Sequence, residues 1–133
     1  MLIAIASEGF NPDSLIAEKF GRTPYIIFYD MEKKTFEFLR NPYANIFGGA
    51  GIQTAQLIIE KNVLAVIISE IGLHPLRVLE CAGVKIYTCP KIQVRKVVDQ
   101  FVEGKLSIIE QDSIREVGRQ RRGKKRRIQN KYK

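Results

Sequence analysis

The stretch "NPYANIFGGAGIQTAQ", residues 41–56, separates a strand-rich part of the chain from a part in which helices and strands alternate. Gly48, Gly49 and Gly51 stand directly before its helical pattern. Glycines in that place favour a tight turn with positive φ, or a nest of backbone N–H groups that receives an anion at a helix N-terminus. The Lys-Ser/Thr of a P-loop and the spacing of a dinucleotide fingerprint are both missing. The stretch therefore predicts a turn into a helix, whose amides are also suited to an anion.

Three strands are predicted before this stretch. "LIAIA" (2–6) is wholly apolar, which is typical of a strand covered on both faces. "PYIIFYD" (24–30) is rich in aromatic and β-branched residues, and "TFEFLR" (35–40) alternates Phe with polar residues. The short polar turn between the last two predicts that they run antiparallel.

After the glycines the apolar residues recur with helical spacing. Ile52, Ala55 and Ile59 predict the buried stripe of a first helix. Pro75 suits the first turn of a second helix that continues to Gly83, and the spacing of Val94, Val97, Val98, Phe101 and Val102 predicts a third helix that ends at Gly104. The intervening strands are predicted over 64–68 and 84–88.

The resulting order, β-β-β-α-β-α-β-α, predicts an α/β fold. Helix-bridged strands should be parallel, so strands one, four and five run together and strand two runs against them. We expect a ribonuclease H-like arrangement of five strands in the order 3-2-1-4-5, with about three helices. Ligands in such sheets bind beyond the carboxyl ends of the strands. We call this predicted edge the rim; its members are Ser7, Glu8 and the segments 19–22, 41–51, 69–75 and 88–90.

The charge of the chain is concentrated at its C-terminal end. The net charge is +8, but residues 1–114 carry 12 Lys and Arg against 13 Asp and Glu, and residues 115–133 carry 10 against one. We expect a folded domain over residues 1–108 and a basic tail over residues 109–133 that is mobile in isolation.

The sequence also argues against a membrane protein, a secreted protein and a disulfide-rich protein. No apolar run approaches the ~20 residues of a membrane span, and "MLIAIASEGF" lacks the basic region and cleavage site of a signal peptide. Two cysteines are too few for a disulfide framework. We therefore expect a cytoplasmic protein with reduced thiols and no membrane partner.

Several motifs together resemble the dinitrogenase iron–molybdenum cofactor biosynthesis family, which includes NifX, NifY and the C-terminal domain of NifB. They are "KFGRTPYIIFYD" (19–30), "NPYANIFGGAGIQTAQLI" (41–58) and "ISEIGLHPLRVLECAGVKIY" (68–87). The resemblance covers about residues 1–105 and implies a ribonuclease H-like fold. It further implies that the protein carries an anionic ligand or metal cluster, such as an iron–sulfur or iron–molybdenum cofactor precursor.

The resemblance contains one departure. Family members usually have His-Phe-Gly-Arg where this chain has Lys19 in "KFGR", and a protonated lysine cannot ligate a metal. Lys19 thus keeps a positive charge that attracts an anion, but the metal-donating nitrogen of the histidine is lost. The predicted ligand-binding residues are Lys19, Phe20, Gly21, Arg22, Asn41, Gly48, Gly49, Gly51 and Gly72.

Cys89 and His74 are the candidate metal ligands of the predicted rim. Cys89 follows a strand and precedes a helix, a position where the pKa of a thiol is often lowered, and a structural thiol is the alternative. His74 is the single histidine and precedes Pro75, where a capping or exposed role is the alternative. We expect Cys81, beside Ala82 on a helix, to be packed in the core.

Three functions compete on the sequence: a binding or carrier protein, a protein that binds nucleic acid, and an enzyme such as a metal-dependent nuclease or another hydrolase. The favoured one is a small non-enzymatic binding or carrier protein, because no nucleophile–base pair or full carboxylate set can be assembled for an enzyme. The alternative is a protein that binds nucleic acid, or an acidic protein, through its tail. The residues that would do so are Arg119, Arg121, Arg122, Lys124, Lys125, Arg126 and Arg127.

Overall fold

Residues 1–109 are described by a computed structural model, in which one mixed sheet is covered by helices on both faces. The strands are β1 (Leu2–Ser7), β2 (Tyr25–Asp30), β3 (Thr35–Arg40), β4 (Ala65–Ile68), β5 (Lys85–Thr88) and β6 (Ser107–Ile108). The helices are α1 (Ala50–Ile59), α2 (Leu73–Cys81) and α3 (Val94–Val102), with a 3-10 turn at Phe20–Arg22.

The sheet has the order β3-β2-β1-β4-β5-β6. Strand β1 pairs antiparallel with β2 and parallel with β4, and β4 pairs parallel with β5. The predicted fold class and the predicted order of the first five strands are confirmed. The predicted number of strands was one too low, because β6 pairs antiparallel with β5, Tyr87 opposite Ile108. This strand comes from the residues after Gly104 and is short: only two of its residues, Ser107 and Ile108, pair with β5.

Strand β1 is covered on both faces, as its wholly apolar sequence predicts. Ile3 and Ile5 belong to a core cluster with α3, whereas Ala4 and Ala6 belong to a second cluster with α1 and α2. Successive side chains of a strand point to opposite faces, so these two clusters lie on opposite sides of the sheet. We call them the α3 face and the α1/α2 face.

The buried side of α1 differs from the predicted stripe. Ile52 is exposed and Ile59 is only partly buried. Ala55 is buried as predicted, but the helix also buries Ala50, Ile58 and Thr54, whose hydroxyl bonds with Asn41 and the Gly21 carbonyl. The buried residues of α1 are Ala50, Thr54, Ala55 and Ile58.

The ends of the second and third helices follow the sequence signals. Gly83 and Gly104 have φ of 80° and 74° and come just after α2 and α3. Glycine tolerates this left-handed conformation without a Cβ clash, and so ends a helix readily. Pro75 lies in the first turn of α2, as predicted. Within residues 1–109, each helix is too short or too polar to cross a bilayer.

Glycines permit close packing between the 3-10 turn and the two helices of the α1/α2 face. A Cβ added to Gly21 would lie 2.8 Å from the Cα of Gly51, and a Cβ added to Gly51 would lie 2.9 Å from Cγ of Pro75. Of Gly48, Gly49 and Gly51, Gly49 alone has positive φ, at 76°, and Gly51 lies within α1. A Cβ on Gly48 would contact nothing within 4 Å.

Gly21→Ala should therefore destabilise the fold, because the added methyl meets backbone that cannot move without shifting α1. We expect a loss of about 1–3 kcal/mol in the free energy of unfolding, measured by urea denaturation. Gly48→Ala is the matched control and should change it by less than about 0.5 kcal/mol. Equal losses for the two variants would contradict this packing.

Candidate ligand-binding site

A pocket of about 600 Å³ opens at the carboxyl ends of β4 and β5 on the α1/α2 face. We call it the rim pocket. Its walls come from Lys19 and the 3-10 turn, from the end of β4 and the chain between β4 and α2, from Leu76 of α2, and from the ends of β5 and of the described chain. The lining residues are Lys19, Phe20, Gly21, Ile68, Ser69, Glu70, Ile71, Gly72, Leu76, Thr88 and Ile109.

Backbone hydrogen bonds fix the wall at Lys19. The Phe20 N–H donates to the carbonyl of Glu70 at 2.9 Å, and the Glu70 N–H donates to the carbonyl of Glu18 at 3.1 Å. Lys19 thus forms a parallel bridge with Glu70, as if adding a short strand beyond the end of β4. The ring of Phe20 is 1% exposed and anchors this wall in the core.

A buried polar network supports the turn at Gly21. The side-chain amide of Asn41 donates to the carbonyl of Thr23 and to the hydroxyl of Thr54, both at 3.0 Å. The Thr54 hydroxyl in turn donates to the Gly21 carbonyl at 3.4 Å. Both amide hydrogens of Asn41 are engaged, and its Oδ1 accepts from the N–H of Tyr43. Asn41 therefore orients the wall of the pocket through these hydrogen bonds.

Arg22 braces the loop that precedes α1. Its Nη1 donates to the carbonyl of Ala44 at 3.1 Å and also to the carbonyl of Ile46. Arg22 does not belong to the lining of the rim pocket. The structure thus brings together Lys19 and three other predicted ligand-binding residues, and leaves five outside the lining. Inside are Lys19, Phe20, Gly21 and Gly72; outside are Arg22, Asn41, Gly48, Gly49 and Gly51.

The expected burial of Cys81 was wrong, and Cys89 matches the alternative of a structural thiol instead of a rim thiol with a lowered pKa. Cys81 is exposed, because it lies two residues after Leu79 and therefore on the opposite side of α2 from the buried Leu76 and Leu79. Cys89 is 5% exposed and packs on the α3 face, whereas the rim pocket lies on the α1/α2 face. Burial raises the pKa of the Cys89 thiol rather than lowering it.

The metal-ligating side chains do not converge. His74 is exposed in the first turn of α2, and Cys89 lies across the sheet from the rim pocket. Within residues 1–109 there is no group of three or more His, Cys, Asp or Glu side chains that could hold a metal ion. A metal held directly by several protein side chains does not fit this donor set.

The sequence reasoning identified the segments around the pocket better than the residues in it. Leu76 and Ile71 line it as well as pack in the core, and a core residue carries no separate signal of a site. Ile109 was assigned to the tail, yet it contacts the core and its N–H donates to the carbonyl of Ile86 at 2.8 Å. The apolar residues Leu106, Ile108 and Ile109 were the available signal.

The electrostatics of the pocket are nearly balanced. Its lining carries one cationic residue, Lys19, and one anionic residue, Glu70, and both are exposed. The remaining walls are mainly apolar, with hydroxyl groups at Ser69 and Thr88. The seven basic residues predicted to contact nucleic acid lie outside the described residues, which end at Ile109.

The two thiols should react at very different rates with iodoacetamide near pH 8. The thiolate is the nucleophile, and the buried Cys89 with its raised pKa presents little of it. We expect the Cys81→Ser variant, which retains Cys89, to be alkylated about tenfold or more slowly than the Cys89→Ser variant.

Unfolding in urea serves as the control. It should make the alkylation rates of Cys81 and Cys89 similar, because both thiols are then exposed to solvent. Faster alkylation of the folded chain that retains Cys89 would contradict its placement on the α3 face.

Comparison with known proteins agrees with this architecture. The chain is 28% identical over 98 residues to an uncharacterized protein of Methanocaldococcus jannaschii, covering 71% of this chain and 83% of that protein. The apo form of the orange protein from Desulfovibrio gigas superposes with a TM-score of 0.78 at 25% identity, covering 81% of this chain and 92% of that chain. A NifB-like protein from Thermotoga has a TM-score of 0.72 at 33% identity, covering 80% and 91%.

The family assignment rests on a match over most of the chain. The sequence profile of the family described as dinitrogenase iron-molybdenum cofactor matches residues 1–104, that is, nearly all of the described part. The resemblance predicted from the three motifs is confirmed. This protein belongs to the dinitrogenase iron-molybdenum cofactor family.

Proposed function

We propose that the protein is a non-enzymatic carrier that holds an anionic, sulfide-containing metal cluster or cofactor precursor in the rim pocket. The observation that carries the proposal is the pocket itself. Its volume of about 600 Å³ falls in the range of small-molecule sites, and it lies at the strand ends where open α/β sheets bind ligands. Membership of the iron-molybdenum cofactor family supports this class of cargo.

The walls suit a large anion with dispersed charge. Burying a compact, strongly hydrated anion against apolar side chains is costly, because its hydration is lost without replacement. A sulfide-rich cluster spreads its charge over many polarizable atoms, so contact with Phe20, Ile68 and Leu76 costs it less. Lys19, which lines the pocket, provides the attraction.

The proposed cargo retains its own sulfide ligands. The described residues offer no set of three donors, and protonated Lys19 cannot coordinate a metal. Binding would instead use the charge of Lys19, contact with the apolar walls, and a hydrogen bond from the hydroxyl of Ser69. Such a site releases its cargo without breaking a protein–metal bond, which is the property a carrier needs.

A carrier fits the pocket better than an enzyme does. Catalysis by acid–base or nucleophilic routes needs paired groups within hydrogen-bond reach of each other. The charged lining residues are Lys19 and Glu70, and among the ion pairs of residues 1–109 there is none between them. Ser69 and Thr88 have no histidine beside them in the lining.

Tetrathiomolybdate is a suitable probe, because it is a coloured dianion that carries molybdenum and sulfide. Lys19→Gln should weaken its binding to the full chain about 5–10-fold, the loss of one favourable ionic contact, or about 1–1.4 kcal/mol. Lys33→Gln, in the turn at the opposite end of the sheet, removes the same charge and should change the dissociation constant less than twofold.

Phosphate, a compact anion, provides the selectivity control and should bind the wild-type protein much more weakly than tetrathiomolybdate. Equal dissociation constants for the Lys19→Gln and Lys33→Gln variants would overturn the assignment of the rim pocket as the ligand site.

A further inference from the structure

Strand β3 forms an open edge of the sheet. It stands at the end of the order β3-β2-β1-β4-β5-β6, and within residues 1–109 no second strand pairs with its outer side. All six of its residues are in register with β2, without a bulge, and its sequence TFEFLR contains neither proline nor lysine. Proteins usually protect an edge with such features, because a regular unpaired strand is a template for another strand.

The alternation of hydrogen bonds shows which backbone groups of β3 face outward. The N–H of Asn41 donates to the carbonyl of Pro24 at 2.9 Å, which makes these residues a hydrogen-bonded pair at the end of the β2–β3 ladder. Hydrogen-bonded and non-hydrogen-bonded pairs alternate along an antiparallel ladder. Phe36, Phe38 and Arg40 therefore direct their N–H and carbonyl groups away from β2, toward the free edge.

The side chains of these three residues share one face of the sheet. Phe36 packs against the core of the α3 face, and residues two apart in a strand point to the same side, so Phe38 and Arg40 also lie on this face. The rings of Phe36 and Phe38 are stacked with their centroids 6.3 Å apart, and Phe38 is 38% exposed. The open edge is thus apolar near its middle as well as unpaired.

We infer that β3 is a self-association surface, at which a second copy of this chain pairs antiparallel with Phe38 opposite its own counterpart. A two-fold axis relates the two strands of such a pair, so one residue lies opposite itself. With Phe38 in that place, Phe36 lies opposite Arg40 of the second copy, which suits a cation–π contact, and Glu37 lies opposite Leu39. The outward backbone groups then exchange about six hydrogen bonds.

Charge and backbone chemistry favour this register over its neighbours. With Glu37 on the axis, two carboxylates would lie directly opposite each other, which is destabilising. With Leu39 on the axis, Pro42 would lie opposite Phe36 and has no N–H to donate. The register centred on Phe38 avoids both defects and places no like charges opposite each other within β3. The strand is therefore complementary to itself, which favours a second copy over an unrelated strand.

Pairing at this edge leaves both rim pockets open. Strands β2 and β1 lie between β3 and β4, whose carboxyl end forms part of the pocket. The inference is independent of the proposed function, because it uses no residue of the pocket. The contact of a single strand is smaller than a standard protein interface, so the dimer should be weak and form at roughly 0.1 mM protein.

Sedimentation equilibrium of the full chain in 0.15 M salt tests the inference. The wild-type chain should change from monomer toward dimer as its concentration rises from about 10 μM to about 1 mM. Phe38→Lys brings two ammonium groups together at the axis and should raise the dimer dissociation constant about tenfold or more. Val102→Lys is the matched control, because Val102 is also exposed but lies at the end of α3; it should change the constant less than about twofold.

A mixture of charge variants tests the register. Phe38→Lys and Phe38→Glu chains should associate more tightly with each other than either does with itself, because unlike charges then meet at the axis. The exposure of Phe38 allows both variants to fold, and their circular dichroism should match that of the wild type.

Hydrogen exchange tests the edge without any substitution. Raising the wild-type concentration from about 10 μM to about 1 mM should slow exchange of the amides of Phe36, Phe38 and Arg40, while those of Glu37 and Leu39, already bonded to β2, should change little.

Three results would overturn the inference. The first is a wild-type chain that remains monomeric at 1 mM, which would leave the edge to a different partner. The second is a dimer that Phe38→Lys and Val102→Lys weaken equally, which would indicate unspecific apolar contact. The third is a mixture of the charge variants that associates no better than its components, which would place a different residue on the axis.

Discussion

Two backbone hydrogen bonds, between the segment around Lys19 and the chain that leaves β4, are the contact on which the rim pocket depends. They hold Phe20 and Glu18 against Glu70, and so extend the edge of the sheet beyond its last regular residue. Releasing this segment would expose the fully buried ring of Phe20, at a cost of roughly 1.5–3 kcal/mol. Because the same contact closes the core and forms the wall, the shape of the pocket is set by folding.

The glycines that mark the sequence act mainly on the shape of this wall. Gly21 and Gly51 let the 3-10 turn, α1 and Pro75 of α2 approach to distances that a Cβ would prevent. Gly49 turns the chain into α1 with positive φ, and Arg22 holds the preceding loop by its carbonyl groups. The loop "NPYANIFGGAG" thus positions the segment that lines the pocket, and neither it nor Arg22 belongs to the lining.

The strands and their order could be predicted because apolar patterns report how many faces of a strand are covered: β1 is wholly apolar and buried on both sides, and β3 alternates at an edge. Side-chain placement at the site was harder. Thr54 is buried because its hydroxyl is hydrogen-bonded. A hydrophobic pattern treats threonine as a polar residue and therefore predicts that it is exposed. The exposure of Cys81 and the burial of Cys89 were not predicted, because they depend on helix phase and on strand register. Thr88 lines the pocket, and Cys89, one residue later, faces α3.

Under the proposed carrier function, a mainly apolar pocket with Lys19 in its lining would hold its cargo by contact and charge, with the metal–sulfide bonds of the cargo intact. The most direct measurement is the backbone amide spectrum of ¹⁵N-labelled protein titrated with tetrathiomolybdate. The account predicts that the largest shifts fall on residues 19–21 and 70–72, Thr88 and Ile109. Shifts confined to Gly48–Gly51, or centred on Cys81 or Cys89, would contradict it.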